Sequence, residues 1–412
     1  MGYKKTTIHG IGWISLLQFG TRLVSLLKVI LVAKILSPYD FGLFAIITTV
    51  LALVEVFTET SMQTFLIQNK RDLKQVISSA WIVTLVRGLA LFFILLLVAY
   101  PVSLFFKTPI LFQLLLLSAF IPLVKSLENP YVVSFQKELR FKVEFLYKLV
   151  NVVADLIASV ALVLLLHSVV GLVFGLLISM TSGVIFSWLY VKQRPRFQVH
   201  KKYLAEIRLF MKSIVPMNIM NFITNQFDII LIGRVVGPDM LGIYQLSQKF
   251  SSQPLIEASD IFGKVTLPVY AKISDERSRL IRAYKKIFST LLLFCSVGGI
   301  AIFILSHFLI SFLGPEWDKA SSVFPILLGY GFVMSLWGTT GSLFLSLSAQ
   351  KILTKISLIR FIITLPIVGV GIFLFGIVGA AWGLLISILL IVPITLFYFF
   401  QFFREDDFFT RD

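Results

Sequence analysis

The sequence predicts an all-α polytopic membrane protein of about 12 transmembrane helices, set as two six-helix lobes related by a parallel repeat, with a central cavity between the lobes. Three observations predict it. Of 412 residues, 58% are hydrophobic and only 14% charged, too few to supply the polar skin of a soluble domain of this size. Apolar runs long enough to cross about 30 Å of hydrocarbon recur along the whole chain. Two motifs of the first half return in the second.

The runs fall at 10–36, 42–67, 76–105, 109–135, 142–166, 168–191, 209–236, 240–262, 283–312, 320–347, 353–375 and 377–402. Lys and Arg mark the loops retained in the cytoplasm during insertion. They gather at the N-terminus (Lys4, Lys5) and in alternate loops: Lys70, Arg71 and Lys74; Lys137, Arg140 and Lys142; Lys192 to Lys202; Lys272 to Lys286; Lys351 and Lys355. Near the other loops stand Lys34, Lys107, Arg234 and Lys319. Both termini are therefore expected in the cytoplasm, with an even number of spans between them. Met1-Gly2 followed by Thr6 fits a myristoylation pattern, but a chain held by many helices gains nothing from one acyl chain. The first run lacks a small-residue cleavage site and reads as a retained helix, not a signal peptide.

A net charge of +16 would suggest nucleic acid in a soluble protein. Here the charge is the signature of cytoplasmic loops, and no nucleic-acid partner is expected. The one cysteine, Cys295, excludes a disulfide framework. The histidines His9, His167, His200 and His307 show no ligand spacing, so neither a metal nor another cofactor is expected.

The segment from Lys34 through Pro38 and Gly42 to Phe44 recurs 200 residues later from Arg234 through Pro238 and Gly242 to Tyr244. Similarly, Val170, Gly171, Gly175 and Ser179 are echoed by Val378, Gly379, Gly383 and Ser387. Six spans per unit give both halves the same orientation, as in transporters that work by alternating access. The expected organisation is an N-terminal lobe over 1–191, a basic cytoplasmic linker over 192–207 and a C-terminal lobe over 208–412. The paired glycines read as sites of close helix approach, and the Pro and Gly after spans one and seven as turns.

Ionisable groups at membrane depth cost several kcal/mol unless they face a cavity or a partner, so each is a functional candidate. Gln18, Arg22, Ser25 and Lys28 share one face of span one. Thr48, Glu55 and Glu59 share a face of span two; Asn218, Asn221, Asn225 and Asp228 a face of span seven; Gln245, Lys249 and Ser252 a face of span eight. These four spans are equivalent pairs of the repeat and are expected to line the cavity. Span five carries Glu144, Lys148, Asn151, Asp155 and Ser159, span four Lys125 and Glu128, and span three Arg87. Intramembrane pairing explains many of these, for instance Lys148 with Glu144 or Asp155 one turn away. Arg22 and Lys28 have no acid one turn away in their own helix. Lys28 is expected to pair instead with Asp228, its counterpart in the repeat, or to bind substrate.

A positive groove at membrane depth suits a phosphate or diphosphate, which must shed water to enter. Rows of Asn and Gln suit sugar hydroxyls, which need donors and acceptors together. A lipid-linked saccharide combines both needs. Arg22, Lys28, Gln18, Ser25, Asn218, Asn221, Asn225, Gln245 and Lys249 are the candidate substrate-binding residues. Glu55, Glu59, Asp155 and Asp228 are the candidates for binding a coupling proton or sodium ion.

The opening GIGWISLLQFGTRLVSLLKVILVAKILSPYDFGLFAI, the echo GRVVGPDMLGIYQLSQK and FLGPEWDKASSVFPIL resemble the Wzx-type oligosaccharide flippases, the polysaccharide transporters of the multidrug/oligosaccharidyl-lipid/polysaccharide superfamily. The resemblance runs over essentially the whole chain. It implies export of an undecaprenyl-diphosphate-linked oligosaccharide to the outer leaflet of a bacterial inner membrane, for O-antigen, capsule or exopolysaccharide. It also implies a polysaccharide polymerase and glycosyltransferases as partners. Basic residues of the first span contact the lipid diphosphate in related lipid II flippases, and Arg22 and Lys28 stand at similar positions. The chain has fewer spans than lipid II flippases, which argues against that substrate.

The runner-up is a multidrug antiporter of the same superfamily, whose organic cations Arg22 and Lys28 would repel. A membrane-bound polysaccharide-processing enzyme would need a large outer loop with acid and base residues, and the expected outer loops are short. An ion channel would need a filter segment, and none repeats.

Overall fold

A computed structural model describes residues 20–58, 73–138, 140–198, 201–274, 276–347 and 349–404. Among them the chain is helical, with no strand. The helices are α1 (20–33), α2 (Pro38–Thr58), α3 (Leu73–Phe105), α4 (Ile110–Ser118), α5 (Phe120–Ser126), α6 (Val133–Lys137), α7 (Phe141–Leu166), α8 (Val170–Tyr190), α9 (Lys201–Val235), α10 (Pro238–Phe250), α11 (Ser252–Lys272), α12 (Arg277–Leu313), α13 (Ala320–Ser346) and α14 (Gln350–Arg404). Each expected span is mainly helical over its described residues. The protein is a multi-pass membrane protein. Among the described residues seven helices have the length and hydropathy to cross a bilayer, and an eighth crossing is the bent pair formed by 110–126 and 130–137. The apolar content of α9 is diluted by its asparagines, and α10 is only 13 residues long. On α12, Leu293, Val297, Ile300, Ile304 and Phe308 form one exposed apolar face, as a lipid-facing helix requires.

Three expected spans differ in shape, each for a backbone reason. Span four bends by 65° because Pro130 holds Asn129 extended. Asn129 is fully buried there. Its Oδ1 accepts from Tyr131 N at 3.1 Å, its Nδ2 donates to Gln193 O at 2.9 Å, and its N donates to Ser187 Oγ at 3.0 Å. Span eight is interrupted at Ser251 (φ −96°, ψ −70°), three residues before Pro254, whose ring cannot pack against the carbonyl of Phe250. Its helix then continues to Lys272, beyond the expected end at 262. Spans eleven and twelve form one element, α14, folded back at Gly376, where φ is +60°. A Cβ on Gly379 would lie 1.8 Å from Gly371 O, and one on Gly383 would lie 2.8 Å from Val368 Cα, so the two arms of α14 pack backbone to backbone.

The recurring proline motif follows the expected turn and starts the next helix. Ser37 Oγ accepts from Asp40 N at 3.3 Å and donates to Asp40 Oδ2 at 2.8 Å, with Pro38 as the first residue of α2, a capped start that needs no N–H from the proline. In the second half Gly237, at φ +106°, takes the place of Ser37 ahead of Pro238.

The first glycine pair has the expected packing role. Gly171 lies against Val163, Gly175 against Ser159 and Gly183 against Asn151, which joins α7 to α8. In the other half Gly331 lies against Ser252, Gly338 against Ser259 and Gly263 against Ser342, joining α11 to α13. Such small-residue seams drive association in lipid, where apolar area alone does not. Tertiary packing divides the chain into Met1–Phe222 and Ile223–Asp412. The segment after α8 runs extended over 191–198, held by Arg196 N on Ser78 Oγ at 3.2 Å and by Phe197 packing on Trp81 at 4.8 Å between ring centroids.

Candidate functional site

The first unit carries its deepest cation on α1. Lys28 is 8% exposed, and its Nζ lies 2.7 and 2.8 Å from the two carboxylate oxygens of Asp155 on α7. Ser159 Oγ, one turn along α7, donates to Asp155 Oδ1 at 3.0 Å. The Phe44 ring of α2 lies under the ammonium at 5.7 Å. This pairing replaces the expected one with Asp228. Spacing along α1 reveals the direction of Lys28 but not the identity of its neighbour, and α7 supplies a carboxylate 127 residues away in sequence. Buried charges survive in a low dielectric only when paired and hydrogen-bonded, and both conditions hold here. Ser25 and Arg22 stand one and two turns earlier on α1, partly buried. Gln18 lies outside the described residues.

Glu55 of α2 meets Lys125 Nζ of α5 at 3.2 Å, and its backbone carbonyl accepts from Arg87 Nη2 of α3 at 3.2 Å. Glu59 lies outside the described residues. Lys148 takes Glu144, not Asp155, as its partner (2.5 Å), and Glu144 also accepts from Gln136 Nε2 at 2.6 Å. Tyr147 Oη donates to Glu128.

The polar row of α9 divides, with Asn218 and Asn221 in the first unit and Asn225 and Asp228 in the second. Asp228 is 3% exposed and accepts from the fully buried Tyr244 Oη at 2.7 Å. Asn221 and Asn225 are exposed and Asn218 is partly buried. Gln245 and Lys249 on α10 are partly buried. Asn225 Oδ1 accepts from Arg360 Nη2 at 3.1 Å. Arg360, on the first arm of α14, also donates to Tyr330 Oη at 3.4 Å. Its guanidinium lies 5.6 Å from the Trp337 ring centre, and that indole is fixed by its own N–H on Thr395 Oγ1 at 3.0 Å. Arg360 is a charge inside the apolar run 353–375, so the rule that singles out Arg22 and Lys28 applies to it as well.

Chemically, the sites hold guanidinium and ammonium groups within membrane-spanning helices, together with amides and aromatic rings. Such sets bind anions by charge-assisted hydrogen bonds and sugars by amide pairs.

The family described as polysaccharide biosynthesis protein matches residues 31–322. The chain belongs to this family. Within reach of it is an uncharacterized membrane protein in the cps region of Klebsiella pneumoniae, 24% identical over 395 residues, covering 94% of this chain and 80% of that one. The lipopolysaccharide biosynthesis protein WzxC of Escherichia coli (strain K12) is 21% identical over 399 residues, covering 94% and 79%. Among solved structures, the lipid II flippase MurJ in an inward closed conformation superposes with a TM-score of 0.75 at 17% identity, covering 93% of this chain and 86% of that one. An inward-facing multidrug resistance MATE transporter gives 0.73 at 12% identity, covering 96% and 99%. These family members and structural likenesses place the chain in a membrane-transporter fold. The two structures share that fold with each other, so the fold by itself does not choose between a lipid-linked and a soluble substrate.

Proposed function

We propose that this family member is a flippase, not an enzyme, which moves an undecaprenyl-diphosphate-linked oligosaccharide from the cytoplasmic to the outer leaflet of a bacterial inner membrane by alternating access of its two halves. Its termini lie in the cytoplasm, where the basic loops gather. Glycosyltransferases would supply the lipid-linked glycan and a polymerase would take it up, as partners in a cell-surface polysaccharide pathway. The single observation that carries this reading is the family match over residues 31–322, with relatives described as a membrane protein in a cps region and a lipopolysaccharide biosynthesis protein.

The site residues take roles under this reading. Arg22 and Lys28 replace part of the hydration that the diphosphate gives up, and Asn218, Asn221, Asn225, Gln245 and Lys249 meet the saccharide. Because Lys28 starts on Asp155, the diphosphate has to compete with a carboxylate for the ammonium. Glu55, Glu59, Asp155 and Asp228 stay the candidates for binding a coupling proton or sodium ion. The multidrug reading fits this arrangement less well, since organic cations would meet Arg22, Lys28 and Arg360.

Deleting the gene in its native host tests the function. Surface glycan should be lost while the lipid-linked oligosaccharide accumulates on the cytoplasmic side, and the wild-type gene should reverse both. Normal surface glycan in the deletion strain contradicts the proposal.

A further inference from the structure

Each unit carries, within itself, a polar cross-link between two of its helices, and the two links differ in charge. In the first, Lys28 on span one meets a full carboxylate, Asp155, on span five. In the second, the cation stands on span eleven and its partner on span seven is an amide: Arg360 donates to Asn225 Oδ1, and its other hydrogen bond goes to the phenol of Tyr330. Among the described residues no carboxylate pairs with Arg360. The carboxylate one turn further along α9, Asp228, is buried and accepts from Tyr244 Oη. The guanidinium thus sits inside a spanning helix with neutral hydrogen-bond partners and no ion pair of its own.

The geometry leaves room for the missing charge. Both protein hydrogen bonds of Arg360 use Nη2, so Nη1 and Nε, donors on diverging edges of the guanidinium that each reach an anion oxygen singly, have no protein hydrogen bond among the described residues. Trp337 holds the plane of the guanidinium from one side and is itself pinned by Thr395. Asn225 is exposed, and its amide N–H₂ donates to no group among the described residues, which leaves it to serve an acceptor beside the guanidinium.

We propose that Arg360, with Asn225 and Trp337, forms an anion subsite in the second unit that engages a negatively charged group of the transported molecule. Its chemistry admits a phosphate of the lipid diphosphate or a carboxylate on the saccharide. The proposal rests on the flippase reading above and adds a recognition residue to it.

The test uses the full-length protein purified in detergent, with Arg360→Gln and Arg360→Lys, and three probes: undecaprenyl diphosphate, an unbranched galacturonate oligosaccharide, and uncharged undecaprenol. Loss of a charge-assisted contact should weaken one of the two anionic probes by about tenfold to a hundredfold in Arg360→Gln, with Arg360→Lys between it and wild type and undecaprenol unchanged. Weakening of the diphosphate lipid assigns the subsite to the headgroup; weakening of the galacturonate assigns it to an acidic sugar. Equal binding of both anions by wild type and Arg360→Gln overturns the proposal, and so does equal weakening of undecaprenol, which would mark a packing defect. If Arg360→Gln does not accumulate, Arg360→Lys carries the test: a selective loss for one anion supports the subsite, and no loss for either overturns it. Glycan export in cells separates the two levels. Wild-type export matched by Arg360→Gln at equal abundance removes the subsite and leaves the flippase reading intact, whereas absence of any effect of deleting the whole gene removes both.

Discussion

Lys28 of the first membrane helix and Asp155 of the fifth form a two-pronged ion pair, with Nζ 2.7 and 2.8 Å from the carboxylate oxygens. Its side chains are 10% and 20% exposed, so water does little to screen either charge. Removing one partner strands the other. Lys28→Met or Asp155→Leu alone should cost about 3–5 kcal/mol, whereas the double replacement by apolar residues should recover most of that loss. Thermal unfolding in detergent of the two single variants and the double variant measures the coupling, and additive losses would show that the pair is not a unit.

A second prediction concerns the seam between α7 and α8. A Cβ at Gly175 would meet Ser159 Oγ at 1.9 Å, so Gly175→Ala should lower stability by about 1–3 kcal/mol through overpacking. Ser159→Gly in the same chain should restore part of it by vacating the space. Thermal melts of the single and double variants decide; a neutral Gly175→Ala would mean that the two helices are not in close contact.

Ser37 supplies a third. Its Oγ caps Asp40 N at the start of α2, and Ser37→Ala should cost about 1 kcal/mol while Ser37→Gly, the residue found at the equivalent position 237, should cost only a few tenths. The order of the two variants in thermal melts is the readout.

Orientation gives the fourth. Cys295 is the one cysteine and is buried, so a Cys295→Ser background is blind to thiol reagents. Phe197 is 77% exposed and Glu316 is exposed, which makes both reachable. Phe197→Cys should react only when a membrane-impermeant reagent is admitted to the cytoplasm, and Glu316→Cys should react from outside. The reverse pattern would overturn the assignment of the basic loops to the cytoplasm.

These expectations differ in how far they could be read before any coordinates. The spans were legible because crossing a bilayer demands length and apolarity, both local properties of the chain. The bend at Asn129 and the break at Ser251 were hidden, since apolar residues continue through them; only Pro130 and Pro254 carry the signal, through the carbonyl clash each imposes upstream. The fold-back at Gly376 was legible as a boundary between two runs. Partner identity was not. The face that Lys28 presents follows from helical periodicity, but its contact with Asp155 depends on which helix lies beside α1, a long-range property. Arg360 needed no coordinates to be suspected, because it is a charge inside an apolar run; its neutral partners did need them.

The account as a whole rests on movement of a diphosphate-linked saccharide between leaflets. The most direct measurement reconstitutes the purified protein in vesicles carrying undecaprenyl-diphosphate-linked oligosaccharide in both leaflets and follows how much of the glycan a glycosidase added outside can reach. Wild-type protein should expose the inner pool, and Arg22→Ala with Lys28→Ala should leave it protected although the protein is present in equal amount. An inner pool that stays protected with wild-type protein, with a driving proton or sodium gradient applied in either direction, would contradict the account.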